Sequence, residues 1–136
     1  MDRLIAHAES LGLYVAYRNL GRANGYFLGG NLVVLNYRRA VTTQRITLAH
    51  EIGHWFHGHD WSGDHDHDRD EREADMYAAS LLIPAGEYAR AEQLVGCHPG
   101  ALARELGVTA RLVEFRRQQL ERDARILAVA DEFHSA

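Results

Sequence analysis

The sequence is poor in the features that brace extracellular proteins and anchor membrane proteins. It holds one cysteine, Cys97, which excludes an intrachain disulfide and any zinc cluster built on cysteine. No apolar run approaches the roughly 20 residues that a bilayer-spanning helix needs. Two prolines in 136 residues and the lack of any low-complexity tract exclude a linker or a disordered chain. Positive charge is also lacking: the formal net charge is −4, so the whole molecule has no attraction for nucleic acid or an anionic membrane. The first nine residues carry no apolar core of signal-peptide length. The expectation is a cytoplasmic monomer with no membrane partner.

What the chain has in excess is histidine. Six of its nine histidines, His50, His54, His57, His59, His65 and His67, fall within eighteen residues, a density that packing alone does not explain.

Hydrophobic patterning sets the frame around them. Arg3 to Leu11 reads as a short helix ended by Gly12. Leu13 to Tyr17, Tyr26 to Leu28 and Leu32 to Asn36 read as strands, the last two joined as a hairpin through Gly29-Gly30-Asn31. The expected sheet is small, about three strands, and antiparallel. A helix is expected from about Thr43 to His57, capped by Thr42 or Thr43, with Ile46, Ala49, Ile52, Gly53 and Phe56 as its apolar stripe. After a polar stretch, helix returns from about Asp70 to Ile83 and stops at Pro84. Residues 85 to 98 read as a turn, a short helix and a loop. Pro99 opens a further helix that Gly107 ends, and Thr109 caps a last one running to about Phe133. The fold class expected is α+β, with a core over residues 1–98 and a C-terminal helical segment over 99–136.

The chemistry lies in His50-Glu51-Ile52-Gly53-His54, an H-E-x-x-H spacing on a helix. Histidines four apart stand about 40° apart around a helix axis, so both rings can turn to one metal ion. Glu51 is then beside the metal rather than on it, where it can take a proton from the attacking water and pass it to the leaving amine. Zinc suits such a site because it brings the pKa of water down to about 7. It needs a third protein ligand and an open fourth position. On the next helix Ala74, Ala78, Leu81 and Leu82 define the inner stripe; Glu71 falls near its middle, Asp75 one turn on, and Glu73 on the solvent side. A carboxylate on a buried face needs a partner, so Glu71 is the expected third ligand. Asp75 is expected to accept the free ring N–H of a ligating histidine.

The residues Thr47-Leu48-Ala49-His50-Glu51-Ile52-Gly53-His54, followed by Glu71-Arg72-Glu73-Ala74-Asp75-Met76-Tyr77-Ala78-Ala79-Ser80-Leu81-Leu82-Ile83-Pro84, resemble the ImmA/IrrE family of metallopeptidases. Two separated motifs agree in kind and in order, over roughly residues 10 to 120. The resemblance implies a minimal gluzincin-like zinc peptidase that cleaves a helix-turn-helix transcriptional repressor, with His50, His54 and Glu71 as ligands and Glu51 as general acid/base. Tyr77 stands where the family usually has Phe, and the His/Asp-rich stretch between the motifs is not part of the family pattern. An extended substrate would be expected to pair with Leu32 to Asn36 as an edge strand.

Other features carry weaker readings. The stretch from His57 to Asp70 reads as a solvated acidic loop, with a second metal site, a metal-gathering lid or an autoinhibitory ligand as the sharper alternatives. His57 and Tyr77 are both candidates for oxyanion or substrate contact. Ala101 to Val113 has the look of a helix-turn-helix, with Arg111, Arg116 and Arg117 on its second helix. From Pro99 onward, however, six arginines are balanced by six acidic residues, so direct binding to nucleic acid is not expected. A zinc-stabilised antirepressor that sequesters its repressor uncut shares every expected ligand, but has no chemical need for Glu51.

Overall fold

The computed structural model describes residues 1–59 and 67–134. The chain divides into two compact units, Met1–Leu82 and Ile83–Ala136. The 98/99 boundary expected from the sequence falls inside the second unit. Among the described residues no helix is long and apolar enough to cross a membrane.

The first unit is α+β. Helix α1 (Asp2–Ser10) leads to β1 (Tyr14–Arg18), β2 (Gly25–Leu28) and β3 (Leu32–Asn36), then to α2 (Val41–Phe56) and α3 (His67–Leu82). The three strands lie in the order β1-β3-β2. β2 and β3 form the expected antiparallel hairpin, but β1 runs parallel to β3, pairing Tyr14 with Leu32 through Arg18 with Asn36. The sheet is therefore mixed rather than antiparallel: the chain leaves β1, passes over the middle position to lay down β2, and returns through the glycine turn into the gap. β3 shows the consequence in its side chains. Val33, Val34 and Leu35 are all buried, the continuous apolar run of a strand covered on both faces.

Asn36 ends β3 fully buried and ties the preceding loop to it. Its side-chain amide donates to the carbonyls of Gly21 (3.1 Å) and Ala23 (2.7 Å), and its Oδ1 accepts the Arg38 N–H (3.0 Å). That bond turns the chain into α2 two residues earlier than the threonines suggest. The N-cap is Ala40, with no side-chain cap; the Gln44 amide donates to the Arg39 carbonyl at 2.8 Å and ties the first turn to the preceding loop. The buried face of α2 is Gln44, Leu48, Ala49, Ile52, Gly53 and His54. Phe56, expected on the apolar stripe, is exposed and its ring lies 4.7 Å from that of Tyr77.

Helices α2 and α3 are the most closely packed elements of the unit, and Gly53 is the reason. A Cβ there would sit 2.7 Å from the Ala74 carbonyl oxygen and 2.8 Å from Ala74 Cα, so only glycine admits this approach of backbone to backbone. α3 presents Asp70, Ala74, Ala78, Ala79 and Leu82 inward. Small residues where the helices meet bring the metal-ligating residue types of both within reach of one another.

The second unit is helical: α4 (Ala85–Val95), α5 (Pro99–Leu106) and α6 (Ala110–His134). Pro99 stands in the first turn of α5, and Gly107 ends that helix in the left-handed conformation, φ 68°. The Thr109 hydroxyl accepts the Leu112 N–H at 3.2 Å, capping α6. Leu102, Ala103, Val108, Leu112 and Val113 form the buried seam. Arg116 donates to the Ile83 carbonyl at 2.7 Å, and Arg117 to the Tyr88 hydroxyl at 2.8 Å and to the Cys97 carbonyl. These two arginines of the helix-turn-helix-like segment are thus engaged within their own unit.

Candidate metal centre

His50 and His54 stand one turn apart on α2, and Glu71 reaches them from the second turn of α3. His50 Nε2 lies 2.9 Å and His54 Nε2 3.0 Å from the Glu71 carboxylate, and the two nitrogens are 3.0 Å from each other. Donors on a tetrahedral ion with bonds of 2.0–2.1 Å are about 3.3–3.4 Å apart. The observed triangle needs only a few tenths of an ångström of spreading to admit an ion. Two imidazoles and a carboxylate are also the donor set that a zinc-class ion takes. His54 is buried, while His50 and Glu71 are about a fifth and a third exposed, so the cluster opens to solvent on one side.

The groups around the triangle set its charge. His50 Nδ1 donates to Asp75 Oδ1 at 2.8 Å, which fixes the tautomer and leaves Nε2 free as a donor of electrons. Burial disfavours the charged form of His50, but the hydrogen bond to Asp75 and the charges of Asp75, Glu71 and Glu51 outweigh it and raise its pKa. Burial lowers the His54 pKa, helped by the neighbouring His50 and opposed by Glu71. A lowered imidazole pKa favours the neutral form, which is the ligating one.

Glu51 follows His50 on α2. Burial raises its carboxyl pKa, Glu71 adding to the effect and His50 opposing it. Its Oε2 is buried without a hydrogen-bond partner. An unsatisfied buried carboxylate oxygen beside a metal-binding triad is costly for folding alone, and it is the environment that makes a carboxylate basic enough for proton transfer.

The remaining expected residues make contacts of their own. The Tyr77 hydroxyl meets His7 Nε2 at 2.8 Å, and burial raises its pKa. His57 Nδ1 lies 3.5 Å from Glu73 Oε2. Glu73 does keep to the outer side of α3, as its spacing suggests, yet its carboxylate accepts the His59 Nε2–H at 3.0 Å, and this bond leads the causes that lower its pKa. His59 Nδ1 in turn lies 2.8 Å from His54 Nδ1. Sequence reasoning places His59 and Asp70 only within a polar stretch for which a second metal site is one alternative, and it misses His7. Asp70 replaces Leu81 on the buried face of α3, and the only available signal for it is the four-residue spacing from Asp70 to Ala74. Residues 60–66, His65 among them, lie outside the described residues.

A cleft of about 500 Å3 adjoins His54, lined by Phe27, Gly29, Gly30, Trp55, Gly58 and His59. The Phe27 and Trp55 rings in its lining stack on each other at 5.8 Å, and the Trp55 indole donates to the Leu11 carbonyl at 2.8 Å. β2 and its glycine turn thus flank the site. β3, the strand expected to receive a substrate, cannot do so, because both of its edges are already paired.

No curated protein sequence matches the chain. Among solved structures it is similar to a Mycobacterium tuberculosis transcriptional regulator, with a TM-score of 0.59 and 17% identity, over 85% of this chain and 40% of that one. The chain therefore spans less than half the length of that regulator, and at this identity the likeness is one of fold. The profile of the Peptidase_M78 family, described as the IrrE N-terminal-like domain, matches residues 8–118, and the chain belongs to that family.

Proposed function

We propose that the chain is a zinc-dependent endopeptidase acting on a helix-turn-helix transcriptional repressor in the cytoplasm. The observation that carries this reading is the placement of Glu51, with its buried and unpaired Oε2, next to the His50–His54–Glu71 triangle. His50, His54 and Glu71 would hold a zinc-class ion, whose chemistry when bound would be to acidify water and polarise a peptide carbonyl.

The chain's own groups supply the rest. Asp75 holds the His50 ring with Nε2 toward the triangle. His54 turns Nε2 the same way while its Nδ1 is held by His59. Glu51 takes a proton from the attacking water at its carboxylate, for which its raised pKa suits it, and returns the proton to the leaving nitrogen as the peptide bond breaks. The edge of β2 facing away from β3 is the natural rail for an extended substrate, since the adjoining cleft leads to His54. All these groups belong to one unit of one chain, as a monomeric enzyme requires.

The test is incubation of the full chain, supplied with zinc, with a helix-turn-helix repressor, comparing the natural protein with Glu51→Gln and with a chelated sample. Fragments are read by mass spectrometry. Cleavage by the zinc-supplied natural protein alone is the expected result. An intact repressor whose operator binding is lost equally with both forms would make the protein a sequestering antirepressor.

A further inference from the structure

Beside the first triangle lies a second group of metal-ligating side chains, on residues that the proposed reaction does not require as ligands. His57 is the C-cap of α2, Gly58 takes a left-handed φ of 66°, and His59 follows. Three main-chain bonds fasten this turn to the end of the helix: His57 N–H to Gly53, Gly58 N–H to Trp55, and His59 N–H to His54, at 3.0–3.1 Å. The reversal at Gly58 stacks the His57 and His59 rings nearly parallel, 12° apart with centroids at 5.4 Å. Both rings face Glu73 on α3.

We propose that His57, His59 and Glu73 form a second binding site for a zinc-class divalent ion. His59 Nε2 lies 3.0 Å from Glu73 Oε2, His57 Nδ1 lies 3.5 Å from the same oxygen, and Asp70 Oδ1 stands 3.4 Å from His59 Nε2. These separations bracket the roughly 3.3–3.4 Å between donors around a tetrahedral ion. Two imidazoles and a carboxylate favour zinc over the hard cations, which take oxygen. Asp70 is almost fully buried whereas Glu73 is over a third exposed, so the group has a fixed floor and an open mouth. Its two imidazole donors come from the turn that ends α2 and its carboxylate from the second turn of α3, both held by main-chain bonds.

The two sites share a wall. With an ion on His54 Nε2, the neutral His54 ring carries its hydrogen on Nδ1 and donates it to His59 Nδ1, 2.8 Å away. An ion on His59 Nε2 leaves that ring's hydrogen on Nδ1 too, so two N–H groups would face each other across a hydrogen-bond distance. Filling the second site therefore opposes the first, and excess zinc loosens the hold on His54. This coupling rests on the reading of His50, His54 and Glu71 as a metal site; the second site itself does not.

The test is a zinc titration of the full chain by calorimetry, with bound metal counted after dialysis. The natural protein is expected to take two ions, the second about tenfold more weakly or worse. His57→Ala combined with Glu73→Gln, at an exposed and a half-exposed position, should take one ion and melt at an unchanged temperature. Glu71→Ala should also take one, bound more tightly than the natural protein's second ion. Two ions in the His57/Glu73 variant overturn the proposal, as does a single ion that Glu71→Ala alone removes. One ion that survives Glu71→Ala but not the His57/Glu73 variant keeps the second site and sinks the first.

Discussion

The two histidine clusters of the α2–α3 pair are built from the same kinds of side chain and differ in what holds them. His50 and His54 sit within a helix, each with its second ring nitrogen already taken, by Asp75 and His59 respectively. His57 and His59 sit where the helix ends, on a turn with a glycine between them, facing a carboxylate that is more than a third exposed. His59 has both ring nitrogens engaged, by His54 and Glu73, whereas the His57 ring is about a third exposed and 3.5 Å from its carboxylate, so the second cluster is the looser at His57 and Glu73. Pre-set donors give the first cluster the character of a resident metal site, and the looser second one that of a site filled only when metal is plentiful.

That contrast sets the order of effects expected from substitution. Glu71→Ala should be the most severe, removing tight zinc binding at the first cluster altogether, as read by dialysis. Gly53→Ala comes next and tests whether the closeness of the helices is what unites the first cluster. The added Cβ has no space beside the Ala74 backbone, so stability should fall by about 1–3 kcal/mol, seen as a lower denaturant midpoint at unchanged slope. Zinc affinity should fall with it, because Glu71 and Asp75 both ride on α3. Asp75→Asn should weaken zinc binding by about 10–100-fold while leaving the fold intact.

A gentler effect separates function from folding. Glu51→Gln in chelated protein should gain about 1 kcal/mol of stability at neutral pH, since an unsatisfied buried carboxylate oxygen is replaced by a neutral amide. The sign of its pH dependence follows from the raised Glu51 pKa. Above the unfolded value of 4.5 the unfolded chain ionises this carboxyl more readily than the folded one does, so the folded state is penalised. The gain should thus be full above the folded pKa and vanish below the unfolded one, which urea titrations across that range would reveal. The smallest effect belongs to Glu73→Gln, a half-exposed position where the denaturant midpoint should stay at that of the natural protein.

Helical spacing carries most of what the sequence reveals about the site. One turn from His50 to His54 and one from Glu71 to Asp75 are enough to put four groups on facing stripes, and Pro99 and Gly107 mark the ends of α5 through chemistry local to them. Strand order is not legible in the same way. A glycine hairpin announces that β2 and β3 pair, but nothing local says that β1 takes the other side of β3 in parallel; the unbroken apolar run Val33-Val34-Leu35 is the available sign of a central strand. The Thr42 or Thr43 cap fails because Asn36, distant in the chain's pattern though close in sequence, has already turned the backbone. His59 lies beyond reach for a similar reason: its place beside His54 depends on a left-handed glycine and on bonds back to the helix end, neither of which has a periodicity.

The most direct test of the account measures metal content and peptide-bond hydrolysis together in Glu51→Gln. Zinc should be held as tightly as by the natural protein, while cleavage of the repressor falls by about 100-fold or more, the usual share of a positioned acid–base group. Undiminished cleavage with zinc in place would contradict the role given to Glu51 and, with it, the reading of this cluster as a peptidase centre.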